Sequence, residues 1–124
     1  MKLLDAQQVL ELHEYVLVRD GGLPGIRADK SVDAVLARVE NNLLFEFDPN
    51  AANAAALITY SFAVGHIFND ANKRTAYVCG LITLEINGVK TTAIDQSRLE
   101  TIIIAAAAGD LDKVEFVAAF NDLL

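Results

Sequence analysis

Two stretches of this chain are apolar on nearly every side, and only a short polar turn separates them. The first runs from about Asn50 to Val64 and is rich in alanine. The second, about Ala71 to Ile86, carries Ala76, Val78, Cys79, Leu81, Ile82, Leu84 and Ile86 with little polar face. A helix without a polar side has to be buried. The second stretch is therefore expected at the centre of the domain, with the remaining elements amphipathic and packed around the pair.

Those remaining elements read as helices. Asp5 with Gln8 three positions later is a capping-box pattern, and Val9, Leu12, His13 and Val16 then share one face. That helix should stop near Arg19 and Asp20, before the GGLPG turn of Gly21 to Gly25. A second helix starts around Asp29 or Ser31 with Val32, Val35, Leu36 and Val39 as its stripe. The LLFEFD segment between Asn41 and Asn50, with Phe45 and Phe47 ahead of Pro49, predicts a short flap or strand. Val89 to Ala93 is expected to be extended, Asp95 to cap a helix to Ala108, and Asp112 with Glu115 to open a last helix ending near Leu123. No repeat or linker interrupts the series, so residues 1–124 are expected to form one all-α domain with one or two short extended segments.

Composition excludes several classes. A net charge of −7 opposes a protein that grips nucleic acid by its phosphates. The single cysteine, Cys79, has no intramolecular partner and lies in an apolar run, which predicts a buried, inert thiol and a reducing compartment. The N-terminal stretch is broken by Asp5, Glu11 and Glu14, unlike a signal peptide, and the run Ile102 to Ala108 is too short to span a bilayer. A soluble cytoplasmic protein without a membrane role is expected.

The polar turn concentrates the chemistry. Gly65 to Ala76 reads GHIFNDANKRTA and leads straight into the second apolar helix. A helix start leaves backbone N–H groups unpaired and carries the positive end of the helix dipole, which suits an anion. His66 is a side chain able to take a proton near neutrality. Asp70 is a hard oxygen ligand suited to Mg²⁺, or else a helix N-cap. Lys73 and Arg74 place cations where the dipole disfavours them, a poor choice for stability alone.

This turn resembles the signature of the Fic/Doc superfamily, whose Fic branch reads HPFx(D/E)GNGRxxR. His66, Phe68, Asp70, Ala71, Asn72, Lys73 and Arg74 match the Doc (death-on-curing) pattern HxF-x-(D/N)-(A/G)-NKR at every place. The GGLPG loop, the length and the helical layout resemble Doc toxins as well. The resemblance implies a Fic/Doc-like helical bundle that binds ATP and Mg²⁺. It implies His66 as the base for a target hydroxyl and Asp70 as the metal ligand, both catalytic with Lys73 and Arg74. Asn69, Asp70, Ala71, Asn72, Lys73 and Arg74 would line the nucleotide site, and Phe68 would anchor the loop in the core.

Two departures from the Fic pattern bear on the reaction. Lys73 stands where Fic has its second glycine, and Tyr77 where Fic has its final arginine. In Fic enzymes the glycine lets two phosphates settle into the anion hole and AMP is transferred. In Doc toxins a lysine there goes with a reversed nucleotide and transfer of the γ-phosphoryl to a threonine of elongation factor Tu, which stops translation. No (S/T)xxxE(G/N) self-inhibitory pattern occurs in this chain. Restraint is implied to come from a Phd-type antitoxin whose C-terminal segment lies in a groove. The alternatives are a Fic-type AMP transferase and a catalytically weak, antitoxin-binding corepressor, with DNA held by the partner. His13 reads as a hydrogen-bonded structural histidine. Arg19 reads as either a phosphate contact or a surface residue, and Phe45 and Glu46 as a flap that aligns the target chain.

Overall fold

The computed structural model describes residues 1–124 and contains six helices. These are α1 (Ala6–Asp20), α2 (Val32–Phe45), α3 (Ala51–Val64), α4 (Asn72–Ile86), α5 (Gln96–Ala107) and α6 (Lys113–Asn121). Five of the six are capped by side chains. Asp5 and Asp112 form complete capping boxes with Gln8 and Glu115, and Ser31, Asn50 and Asp95 each accept the N3 backbone N–H. Such caps contribute about 1 kcal/mol apiece. α4 has Ala71 in the N-cap position and no side-chain cap.

α3 is the hub, packing on α2, α4, α5 and α6, and its stretch from Ala54 to Thr59 is buried without interruption. The sequence points instead to the α4 segment as the centre. α4 is half-exposed at Tyr77, Val78, Leu81 and Ile82, because Tyr77 and Leu81 line a surface groove against α5. Cys79 is fully buried, and burial pushes its thiol pKa up to about 12. An inert thiol follows. No helix is long and apolar enough to cross a membrane.

Two sequence expectations fail. The segment around Phe45 is not a flap or strand, because α2 continues to Phe45. Asn42 and Leu43 extend the buried face of Val35 and Val39 by the helical period, which outweighs the aromatic alternation. Val89 to Ala93 pairs in no strand: Val89 to Thr91 is irregular, and Thr92 and Ala93 form a turn. The only β-type pairing is a single antiparallel bridge between Ile26 and Phe68.

α3 and α4 cross closely at Gly80. A Cβ there would fall inside van der Waals contact of Thr59 Oγ1, a fully buried hydroxyl that donates to Ala55 O at 2.7 Å. Overpacking of this kind costs about 1–3 kcal/mol, whereas helix propensity alone favours alanine over glycine by about 1 kcal/mol. Gly80→Ala should therefore lower the midpoint of thermal unfolding. Adding Thr59→Ala should restore it, because the next atoms lie at 3.4 Å and beyond. Thermal melts of the two single variants and the double variant would show that non-additivity; additive shifts would refute the crossing argument.

Candidate active site

The loop from Gly65 to Ala71 joins the hub helix to α4, and its backbone is unusual at both ends. His66 (φ 50°) and Ala71 (φ 65°) are the two non-glycine residues of the chain in the left-handed region. Each such residue costs of order 1–2 kcal/mol. The conformation holds because it is tied from several sides. Asn72 Nδ2 donates to Phe68 O at 3.0 Å, and Phe68 N–H donates to Asn72 Oδ1 at 3.0 Å. Phe68 is buried between His13, stacked on it at 3.8 Å and 9°, and Phe62 at 6.2 Å between ring centroids.

The GGLPG loop braces the other side. Arg27 N–H donates to Ile67 O at 2.9 Å and Asn69 N–H to Gly25 O at 3.0 Å, while Asn69 Nδ2 donates to Pro24 O at 3.0 Å. Gly22 and Gly25 are required here twice over. Both have positive φ, and a Cβ would lie 2.9 Å from Asp70 Oδ2 at Gly22 and 2.8 Å from Asn69 Nδ2 at Gly25.

The bracing fixes Asp70. Its Oδ2 accepts from Leu23 N–H at 3.1 Å and its Oδ1 from Ala71 N–H at 2.8 Å. These two bonds, the Leu23 one foremost, hold the carboxyl below the usual carboxylate range, with Arg74 adding to the effect. Asp70 is thus an oriented anion with lone pairs to spare, as a hard divalent cation requires. It is not the α4 N-cap, a role that falls to Ala71.

The first backbone hydrogen bond of α4 runs from Thr75 N–H to Ala71 O, so Asn72, Lys73 and Arg74 present N–H groups without intrahelical partners. They border a cleft of about 320 Å³ together with Ala63, His66, Asn69, Asp70, Ala71 and Ala107. The His66 ring is solvent-exposed. Asn69 and Ala71 line the cleft, but the polar groups described above are spent on the loop itself.

A groove of about 580 Å³ adjoins this cleft, sharing Lys73 and Arg74 with it. Arg19 and Asp20 stand in its wall, Tyr77, Leu81, Ile103 and Ile104 give it an apolar side, and Gln96 and Glu100 complete the lining. Asp20 takes two hydrogen bonds from Arg19, at 2.8 and 3.0 Å, and pairs with Arg74 at 3.4 Å. The Arg19 bonds hold its carboxyl low, and Asp20 in return holds Arg19 protonated. Arg19 also lies over the Tyr15 ring at 5.3 Å.

The structure therefore brings His66, Asp70, Lys73 and Arg74 to one cleft, with Arg19 in the adjoining groove. It does not bring Phe45 and Glu46 there. α2 ends at Phe45, whose side chain is exposed, and Glu46 is paired with Lys113 of α6 at 3.1 Å. Asp20 was missed, since one carboxylate after an arginine carries no local signal. His13 is the buried, hydrogen-bonded histidine that its place on the apolar face suggests.

Comparison with known proteins agrees with this geometry. The Fic/DOC family profile matches residues 3–84, the span that holds α1 to α4 up to Leu84 and so the whole signature loop. The chain is 33% identical over 111 residues to a protein named Protein kinase doc of Escherichia phage P1, across 90% of this chain and 86% of that one. It is 34% identical over 97 residues to a protein named Toxin Doc of Mycolicibacterium smegmatis, across 77% of this chain and 68% of that one. An all-helical fold, a loop that presents an uncapped helix start, and these relatives together place the chain: it belongs to the Fic/Doc family.

Proposed function

We propose that this chain is a Doc-type toxin that acts as a protein kinase, moving the γ-phosphoryl group of ATP to a threonine hydroxyl of elongation factor Tu and so stopping translation. The observation that carries the reading is the trio of unpartnered N–H groups at the start of α4, set in one cleft with His66, Asp70 and Lys73. The relation to the phage protein kinase supports phosphoryl transfer.

The residues fit the group they would hold. No three His, Cys, Asp or Glu side chains cluster as a full metal cage. A lone ionised carboxylate suits Mg²⁺, which keeps waters and substrate phosphates as its other ligands. When bound, ATP–Mg²⁺ supplies the phosphoryl group and neutralises part of its charge. His66 accepts the proton of the target hydroxyl. Lys73, Arg74 and the N–H groups of Asn72 to Arg74 bind phosphate oxygens and stabilise charge that builds up during transfer. Lys73, in place of a glycine, narrows the cleft and adds charge beside His66, which favours a phosphoryl group over AMP as the transferred unit.

Restraint acts in trans in this reading. A Phd-type C-terminal segment would lie in the groove, its apolar side against Tyr77, Leu81, Ile103 and Ile104 and its charges toward Arg19, Asp20 and Glu100.

Asp70 also gives a pH expectation. Its folded-state pKa lies below 3.8, so the ionised form persists as pH falls and is lost only below that value. Mn²⁺ binding, followed by electron paramagnetic resonance, should be as strong at pH 5 as at pH 7 and be lost only at pH values below the ordinary aspartate pKa of 3.8. Loss of half the bound metal between pH 7 and 5 would contradict the role given to Asp70.

A cell extract tests the function. Elongation factor Tu pre-incubated with the protein and ATP–Mg²⁺, then separated from both, should fail to support translation in an extract depleted of the factor, whereas factor pre-incubated without ATP should support it. Factor that stays active after the ATP–Mg²⁺ treatment, or that is inactivated without ATP, would overturn the reading.

A further inference from the structure

His13 lies 57 residues from Asp70 in sequence, yet its Nε2 sits 3.0 Å from the Asp70 main-chain oxygen. A carbonyl can only accept, so Nε2 carries the proton. The ring is 5% exposed and stacked flat on Phe68, which fixes its direction. The Asp70 carbonyl is a significant one to occupy. In an α-helix begun one residue earlier it would accept from Arg74 N–H, four residues on. Here the left-handed Ala71 turns it away from α4 and toward α1.

We propose that His13 is a positioning residue for phosphate binding. By taking the Asp70 carbonyl it holds the left-handed turn at Ala71, keeps Arg74 N–H free for an anion, and fixes the carboxylate of Asp70 from behind. The inference rests on the proposed kinase reading for what the anion is, but not for the geometry of the turn. Three things compete for that carbonyl and the loop around it: His13, the backbone of α4, and water. Alanine in the left-handed region costs of order 1–2 kcal/mol, comparable to the one buried hydrogen bond that His13 supplies. Without His13 the α4 bond becomes the better choice, and the anion site loses one of its three donors.

The test separates this role from simple packing. His13→Phe keeps a ring against Phe68 without the donor, His13→Gln keeps a donor without the ring, and Ala71→Gly removes the cost of positive φ. Amide hydrogen exchange and ATP–Mg²⁺ affinity by calorimetry are read on each, with thermal melts to monitor folding. In His13→Phe, Arg74 N–H should exchange more slowly as it gains a helical bond, and the affinity should fall about tenfold, the lower end of what orienting partners of metal ligands contribute. His13→Gln should retain most of the affinity, and Ala71→Gly in the His13→Phe background should recover most of what was lost. Equal losses in His13→Phe and His13→Gln, or an unchanged Arg74 amide in His13→Phe, would overturn the inference. A native protein that binds no ATP–Mg²⁺ would instead remove the kinase reading, and the exchange comparison would still decide the role of His13.

Discussion

Replacing His66 with alanine should lower phosphoryl transfer by about 10²–10⁴-fold, the range for removing a general base, equivalent to about 3–5 kcal/mol of barrier. The size follows from where His66 stands. Its ring is exposed at the mouth of the cleft, and its backbone is held at φ 50° by a loop tied to both α1 and the GGLPG segment. A side chain so placed contributes little to the core, so the thermal midpoint should barely move. Binding of an antitoxin along the groove should survive as well, because His66 does not line it. Single-turnover transfer with radiolabelled ATP, alongside a melt, measures both. Undiminished transfer would exclude His66 as the base.

Lys73→Gly is the second large effect. Removing one positioned charge or donor from a transferring group costs about 10²–10³-fold in rate. Stability should change far less. A cation in the first turn of a helix opposes the dipole by about 0.3–1 kcal/mol, and glycine costs about 0.5–1 kcal/mol in a helix, so the two nearly cancel. The substitution also restores the glycine of the Fic signature and opens the cleft. Kinase activity should fall sharply while the fold persists, as a steady-state assay with a melt would show. Transfer at full rate would mean that the Lys73 side chain plays no part in the reaction.

The fold was legible where its causes are local. Asp5 with Gln8 and Asp112 with Glu115 announce helix starts by side chains that reach only three residues, and both boxes form. The signature loop was legible because its chemistry is contiguous. Phe45 misled because alternating aromatics before a proline imitate a strand, while burial of Asn42 and Leu43 keeps the segment helical. The identity of the hub was hidden too. α3 and α4 are both apolar, and only the groove beside Tyr77 and Leu81 shows which of them meets solvent.

Tertiary supports of the site were not legible at all. His13 meets Asp70, Leu23 meets Asp70, and Asn69 meets Pro24 across 57, 47 and 45 residues. Each contact depends on the signature loop arriving beside a distant segment, α1 for His13 and the GGLPG loop for Leu23 and Pro24, and no local pattern encodes that. Asp20 is similar: its link to Arg74 exists only because the end of α1 lies beside the start of α4.

The central claim is that this site moves a phosphoryl group. Purified protein, ATP–Mg²⁺ and elongation factor Tu, incubated together and followed by intact mass measurement of the factor, test it most directly. The account requires a gain equal to one phosphoryl group on a threonine, absent with His66→Ala. A gain equal to AMP would contradict it and return the site to the chemistry of the Fic branch.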